Sequence, residues 1–334
     1  MGARPRTYII AFVALLFAAY CVYRVEEIVH MPLRSYSGAF DPLSAEESAV
    51  RDNLVKDVGH LATSIGERNM IRYHALTAAA DFLESRFRGM GYNVARQTYQ
   101  VDGREVANIE AIATNSQAAE IVVVGAHYDS VVGTPGANDN ATGVAAVLEL
   151  ARLLTSSPTK RPVTFVLFAN EEPPYFQTPQ MGSFVYARRL REQNVDLKGM
   201  IAIETIGYYS DAPESQKYPA GISALYPSTG NFIAFVGNSE SQTLLRDSIR
   251  AFRKSTKFAS EGAAPPGDLP GVGWSDHWSF WQQGWPAVMV TDTAPFRYAH
   301  YHLASDTPDK IDFDRTARVV LGLKQVVLTL ANQP

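Results

Sequence analysis

The sequence predicts an α/β protein, with a three-layer α/β/α domain built on a central, mostly parallel mixed sheet. Residues 121–124 and 163–169 are short, almost entirely apolar runs, which are typical of strands buried on both faces. Residues 143–154 lie between these runs and have helical spacing. This alternation favours a largely parallel sheet with helices on both faces.

The remaining elements follow from the same patterns. The Ser44-Ala-Glu-Glu sequence is typical of a helix start. Segments 208–230 and 259–273 are rich in Pro and Gly, and we expect them to be irregular loops of the kind that often wall a pocket. Further strands are predicted at residues 92–101, 107–114, 200–206, 232–236 and 287–291, the first two paired at a sheet edge. Helices are predicted at residues 45–64, 74–90, 239–254 and 315–330.

The composition excludes some partners and some sites. The 334 residues carry a net charge of -4, with no clustered basic surface, so nucleic acid is not an expected partner. Cys21 is the only cysteine, which excludes a disulfide within the chain and a thiolate metal site.

The N-terminal segment is predicted to be a membrane anchor. Residues 8–23 carry no charge, and arginines flank them on both sides. The run is short for a span, but its terminal tyrosines and arginines favour an uncleaved signal anchor over a cleaved signal peptide. The N-terminus would then be cytoplasmic and the remaining chain periplasmic or extracytoplasmic; cleavage would instead release a secreted protein. We predict a cytoplasmic tip and transmembrane segment at 1–30, a linker at 31–44 and a folded domain at 45–334.

Four segments place metal-capable side chains in or near the ends of predicted strands. Any one of them has a simpler interpretation, such as the solvated loop that Glu171 and Glu172 could form after their strand. Together they favour one site, because ligands bind at the carboxyl ends of strands in α/β sheets. Nitrogen and oxygen donors without thiolates suit a catalytic zinc, and several carboxylates allow two ions with a shared bridge. The candidate ligands are His127, Asp139, Glu172, Glu204 and His302.

Five ordered motifs now identify a family resemblance that covers roughly residues 45–334. The chain resembles the co-catalytic zinc aminopeptidases of metallopeptidase family 28, whose fold is shared by glutaminyl cyclases that bind one zinc. The motifs are His127-x-Asp129, Gly136-Ala-Asn138-Asp139-Asn140, Asn170-Glu171-Glu172, Glu204-Thr-Ile-Gly207, and Tyr301-His302 with Asp306-Thr-Pro308.

The resemblance implies a role for each ligand. Asp139 would bridge two zinc ions, with His127 and Glu204 completing one site and Glu172 and His302 the other. Most members carry Asp where this chain has Glu204, so the expectation is two ions, with one as the alternative. The family also implies a cis peptide bond between Asp139 and Asn140.

It further implies that Glu171 is the general base that activates a metal-bound water, that Asp129 orients the imidazole of His127, and that Tyr301 steadies the oxyanion. The expected function is a membrane-anchored zinc exopeptidase, an aminopeptidase acting on peptides with a free N-terminus. The alternatives are a glutaminyl-peptide cyclotransferase and a non-catalytic binding domain on the same fold. The aromatic residues of segment 275–281 are interpreted as a pocket wall or as helix core.

Overall fold

The computed structural model describes residues 12, 15–17, 25–112, 120–219 and 222–333. The strands in this part of the chain are β1 Asn93–Val101, β2 Arg104–Ile112, β3 Glu120–His127, β4 Val163–Phe168, β5 Asp196–Ile203, β6 Ile233–Val236, β7 Ser260–Ala263 and β8 Ala287–Thr291. The helices used below are α1 Ala45–Gly59, α2 Tyr73–Gly89, α3 Gly143–Leu154, α4 Gly182–Glu192, α5 Gln242–Ser255, α6 His277–Trp281, α7 Ala294–Arg297 and α8 Phe313–Asn332.

The described strands form one mixed sheet in the order β1-β2-β4-β3-β5-β8-β6-β7. β4, β3, β5 and β8 are parallel neighbours, whereas β1 and β2 form an antiparallel pair at one edge. The predicted α/β class and the predicted edge pair are confirmed. The parallel centre brings the carboxyl ends of β4, β3 and β5 to the same rim.

Helices cover both faces of the sheet and complete three layers. Along β4, Phe165 and Leu167 join a core with helices α1, α2, α3, α5 and α8. Val166 and Phe168 point to the opposite face, where they pack in a second core with residues of α4 and α6. Because successive side chains of a strand alternate between faces, β4 is buried on both, and all of its side chains except that of Thr164 are apolar.

Helix α1 begins where its sequence predicts. Ser44 is the N-cap, and the backbone N–H of Glu47 donates to Ser44 Oγ while that of Ser44 donates to the Glu47 carboxylate. This reciprocal capping box satisfies two N–H groups that the helix itself leaves without partners.

Several predicted boundaries differ from the structure. β5 ends at Ile203, so Glu204 follows the strand instead of lying within it. The segment 259–273 contains strand β7, although Ser-Glu-Gly-Ala has low strand propensity, because its backbone pairs with β6. The last helix, predicted at 315–330, spans Phe313–Asn332 and has Asp312 as its N-cap.

The segment predicted as a linker packs against the domain, and so does the end of the segment predicted at 1–30. The N–H of Ser260 donates to Ser35 Oγ, Met31 is buried, and the N–H of Ala264 donates to Ile28 O. Residues 28–35 therefore cover the outer edge of β7. Most of the predicted anchor, residues 8–23, lies outside the described residues, and among those described no helix has the length and apolar character needed to cross a bilayer.

Candidate metal centre

The five predicted ligands converge at one rim of the sheet. His127 is the last residue of β3, Glu172 lies in the loop after β4, and Glu204 directly follows β5. Asp139 lies in the Ala137–Thr142 turn before α3, and His302 lies in the loop between α7 and α8. The parallel centre of the sheet explains the first three positions, and the two loops bring the others above it.

Asp139 lies between the two histidines. Its Oδ1 is 3.2 Å from His127 Nε2, and its Oδ2 is 3.1 Å from His302 Nε2. Glu204 Oε2 is 3.0 Å from His127 Nε2, and Glu172 Oε2 is 3.4 Å from His302 Nε2. Two ligand groups therefore share Asp139, and within each group the donor atoms lie within 4.8 Å of one another.

The unpaired polar atoms of this cluster fit divalent cations. His127 is fully buried, yet neither of its ring nitrogens has a hydrogen-bond partner, and Asp139 Oδ1 has none either. Burying such groups without partners is costly, and burying several carboxylates together is more so. A cation between them would remove both penalties, and the imidazole and carboxylate donors are those that zinc uses in catalytic sites.

Electrostatics in the cluster favour added positive charge. Burial raises the pKa of Glu171 and of Glu172 well above the ordinary value, and the neighbouring carboxylates raise both further. Burial alone would lower the pKa of His127, but Glu204 and Glu171 outweigh it and raise that pKa. Both shifts favour the more positive form of each group.

Asp129 lies beside the imidazole of His127 and binds the backbone of the two adjacent glutamates. Its Oδ1 accepts from the backbone N–H of Glu171 and its Oδ2 from that of Glu172, each at 3.1 Å. Its Oδ1 also lies 3.5 Å from His127 Nδ1. Glu171 Oε2 is 3.9 Å from His127 Nε2, so the carboxylate of Glu171 borders the cluster.

Tyr301 stacks on His302 with ring centroids 3.8 Å apart. Burial raises the pKa of its hydroxyl, and the negative charges of Asp139 and Glu172 raise it further, so the phenol stays protonated and can donate a hydrogen bond.

Three supporting residues have no role in the sequence-based prediction. Asp306 accepts from the backbone N–H groups of Asn138 at 2.8 Å and Asp139 at 3.0 Å. Ser275 Oγ donates to Glu204 Oε2 at 3.0 Å, next to the amide of Asn140, which donates to the same oxygen at 3.1 Å. Asp306 lies within the motif formed by Tyr301-His302 and Asp306-Thr-Pro308, so the sequence carried a signal for it. The peptide bond between Asp139 and Asn140 is cis, as the resemblance implied.

The third supporting residue is Arg68, for which the sequence holds no visible signal. It is fully buried and donates to the carbonyls of Tyr128 at 2.6 Å, Pro135 at 2.5 Å and Gly136 at 2.8 Å. It thus ties the end of β3 to the loop that leads to Asp139. Burial lowers its pKa to about 10, although nearby carboxylates including Asp129 oppose that shift.

The aromatic residues of segment 275–281 do not line the cavity beside Glu204. Phe280 is fully buried in the second core and Trp281 packs against that core, whereas Trp274, just before the segment, lines the cavity. His277 Nε2 lies 2.7 Å from Val272 O, and burial lowers its pKa to about 4. Asp276 is also fully buried, neither of its carboxylate oxygens has a hydrogen-bond partner, and burial raises its pKa to about 7.

Comparisons with known proteins agree with this geometry. Residues 108–327 match the profile of Peptidase family M28. The chain is 38% identical over 289 residues to the uncharacterized protein YfbL of Escherichia coli K12, covering 84% of this chain and 88% of that protein. It is 28% identical to a probable zinc metalloprotease of Pyrenophora teres, over 69% of this chain but 52% of the fungal one.

Solved structures show the same fold at lower identity. BSAP, a zinc aminopeptidase from Bacillus subtilis, superposes with a TM-score of 0.67 at 16% identity, covering 85% of this chain and 95% of that one. Fimbriiglobus ruber glutaminyl cyclase superposes with a TM-score of 0.65 at 22% identity, covering 88% of this chain and 98% of that one. These likenesses establish the fold.

Proposed function

The chain belongs to peptidase family M28, as its five motifs indicated, and from this premise we propose that it is a zinc-dependent aminopeptidase. One observation carries the proposal. The two oxygens of Asp139 lie 3.2 Å and 3.1 Å from the Nε2 atoms of two different histidines, each of which has a further carboxylate beside it. Such a shared carboxylate is suited to a pair of ions that acts on one reacting group.

His127, Asp139 and Glu204 would hold one zinc, and Asp139, Glu172 and His302 the other. When bound, zinc acts as a Lewis acid that polarises the scissile carbonyl and lowers the pKa of water. His127 and His302 must be neutral to bind it, so we expect zinc affinity to fall as the pH drops.

Glu171 serves as the general base. It accepts a proton from the attacking water and returns that proton to the leaving amine. Burial raises the pKa of Glu171 above its ordinary value, which is the direction that favours uptake of a proton by this carboxylate. Asp129 holds the backbone of Glu171 and Glu172 in place through two hydrogen bonds and keeps the base beside the ligands.

Tyr301 donates a hydrogen bond to the oxyanion that develops on the attacked carbonyl. Its stacking on His302 fixes the ring next to the cluster, and the raised pKa keeps its proton in place. The carboxylates at the rim also attract the free amino terminus of a peptide, which supports exopeptidase action.

Glutaminyl cyclisation is the second candidate, and Glu204 is the observation that favours it. Two donors, Asn140 Nδ2 and Ser275 Oγ, already bind Glu204 Oε2, which leaves that oxygen less able to bind a second cation. A single ion held by Asp139, Glu172 and His302 would then remain.

Activity assays separate the candidates. The full chain is tested on aminoacyl-nitroanilides and on N-terminal glutaminyl peptides, with and without a chelator. Chelator-sensitive hydrolysis of the nitroanilides supports the aminopeptidase, whereas cyclisation alone supports the cyclase. No chelator-sensitive turnover of either substrate would support a non-catalytic binding domain.

The Glu171→Gln variant tests the assignment of the base. We expect its kcat to fall by roughly 10²- to 10⁴-fold, because the general base is lost, while its zinc content stays unchanged. Glu192→Gln, which removes an exposed carboxylate from α4, is the matched control and should keep full activity. Loss of zinc from Glu171→Gln would mean that Glu171 is a zinc ligand and not the general base.

The proposal includes a membrane anchor at residues 8–23 that holds the catalytic domain on the periplasmic or extracytoplasmic side. The uncharged run and its flanking arginines support it. Alkaline carbonate extraction of cell membranes, followed by protease treatment of intact spheroplasts, tests both points. Release of the protein by carbonate would contradict the anchor. Protection of the catalytic domain from protease would contradict its orientation.

A further inference from the structure

A cavity of about 140 Å³ opens beside the candidate metal centre and extends along the sheet away from it. Glu204 and Tyr301 line the cavity, and so does Glu261 of β7. The remaining wall is mostly apolar and aromatic and comes largely from the two Pro- and Gly-rich segments and from α7. The cavity thus joins the proposed catalytic groups to a carboxylate on the edge strand.

The strand register gives the length of this cavity. In the pairing of β5 with β8, Ile203 is level with Val290, so Glu204 is level with Thr291. Thr291 pairs with Ala234 of β6, and Ala234 pairs with Glu261 of β7. These side chains form one row across four strands, on one face of the sheet. With neighbouring strands about 4.8 Å apart, the row spans roughly 14 Å. The two residues between the carboxylates, Thr291 and Ala234, are small and leave the floor of the cavity open.

The distal end of the cavity has the chemistry of a cation site. Tyr218 and Tyr226 line it with their rings stacked, at a centroid distance of 5.8 Å. Burial raises the pKa of both hydroxyls and Glu261 raises it further, whereas Arg297 lowers that of Tyr218. Their hydroxyls donate to Pro227 O at 2.6 Å and Gly262 O at 3.1 Å, which fixes both rings. A carboxylate beside aromatic faces attracts a cation through both groups.

Two nearby arginines make most of their hydrogen bonds to other groups. Arg253 approaches Glu261 no closer than 3.9 Å, and its guanidinium donates instead to Ser260 Oγ at 3.0 Å and to Leu33 O at 2.8 Å. Arg297 does not line the cavity; it donates to Gln216 Oε1 at 2.7 Å and to the carbonyls of the adjoining wall, while its buried Nη2 has no hydrogen-bond partner. Burial raises the pKa of Glu261 more than Arg253 and a hydrogen bond from Ser35 lower it, so its charge is only partly compensated.

We propose that this cavity binds the side chain of the substrate's N-terminal residue and selects a long cationic side chain, arginine first, whose guanidinium meets Glu261 and the rings of Tyr218 and Tyr226. The inference rests on the proposed aminopeptidase function, which places the α-amino group and the scissile bond near Glu204. A leucine side chain ends in the proximal part of the cavity. An arginine stem packs along the apolar wall and carries its charge to the distal end.

Hydrolysis of matched nitroanilides by the full chain tests the charge requirement. Citrulline has nearly the shape of arginine but no charge, so the arginine-to-citrulline ratio of kcat/KM isolates the contribution of the cation. We expect a ratio on the order of tenfold to hundredfold, as for a hydrogen-bonded charge pair, and a ratio near one in Glu261→Gln. Glu214→Gln, which removes an exposed carboxylate from the 208–230 segment, should leave the ratio unchanged. A high ratio that persists in Glu261→Gln, or a wild type that prefers leucine or phenylalanine, would overturn the proposal.

A binding measurement separates failure of this inference from failure of the proposed function. Argininamide and citrullinamide are titrated calorimetrically into Glu171→Gln and into Glu171→Gln/Glu261→Gln. Tighter binding of argininamide that is lost with Glu261 supports the cation site, even if the wild type hydrolyses no nitroanilide. Equal binding of both amides contradicts the cation site, even if the wild type is an active aminopeptidase.

Discussion

Replacement of Asp306 tests how the loop that carries Asp139 is held. One oxygen of Asp306 accepts from the N–H of Asn138 at 2.8 Å and the other from that of Asp139 at 3.0 Å, and both bonds are buried. Asparagine keeps one acceptor oxygen, so Asp306→Asn loses one hydrogen bond to a charged group and should lower the free energy of unfolding by about 1.5–3 kcal/mol. Alanine loses both of these bonds and the one from the Tyr298 hydroxyl, and the two backbone bonds alone should cost about 3–6 kcal/mol.

Urea unfolding at pH 8 measures these losses, because Asp306, whose pKa burial raises to about 6, is then ionised. Zinc titration of the same variants should give a dissociation constant about 10- to 100-fold higher than that of the wild type, since the bridging ligand loses its support. Tyr298→Phe removes only the hydroxyl that donates to Asp306 Oδ1 at 2.8 Å and should cost less than either change. If Asp306→Asn unfolds at the wild-type urea concentration and binds zinc equally well, other contacts hold this loop and the reasoning is wrong.

Three further predictions concern stability. Arg68→Lys should lower the free energy of unfolding by about 3–5 kcal/mol in urea titrations, because lysine cannot reach the three carbonyls that the guanidinium binds; a loss below about 1 kcal/mol would refute the bracing role. His277 has a folded pKa of about 4, so between pH 6.5 and 4 the unfolded state alone binds its proton and stability is lost as the pH falls. His277→Gln should remove up to about 3 kcal/mol of that loss, and an unchanged pH slope would count against it. Chelation should lower Tm, and the difference in Tm between the zinc-bound and chelated forms should increase as the pH rises. The reason is that carboxylates with raised pKa values, such as Glu171 and Glu172, lose their protons and repel each other without the metal. A difference in Tm that decreases with rising pH would argue against a metal here.

The sequence predicted the centre of the fold better than its edges. β3 and β4 are continuous apolar runs because both of their faces are buried, so composition alone reveals them. β7 is Ser-Glu-Gly-Ala and carries no such signal, since β6 supplies its hydrogen bonds on one side and the 28–35 segment caps the other. Helix α4 was not predicted at all, whereas the helix predicted at 315–330 lies within α8.

The candidate ligands were predictable because each stands in a short motif, three of them at or near the end of a strand. Supporting residues such as Arg68 were not predictable, because their roles depend on contacts with residues that are distant in the chain. Arg68 acts on the carbonyls of Tyr128 and Gly136, which are 60 and 68 positions away in the chain. No local pattern distinguishes such an arginine from one on the surface.

By itself the sequence determined the α/β class, the order of the main elements and the kinds of side chain available for a metal, because these depend on local periodicity and residue chemistry. Only the tertiary structure decided which atoms approach one another, from the position of Asp139 between two histidines to the row that runs from Glu204 to Glu261. The physical reason is that register, burial and loop packing depend on contacts between residues that are far apart in the chain. A glutamate at a strand end and a glutamate in a Gly- and Pro-rich segment have nothing in common until the sheet places them in one row.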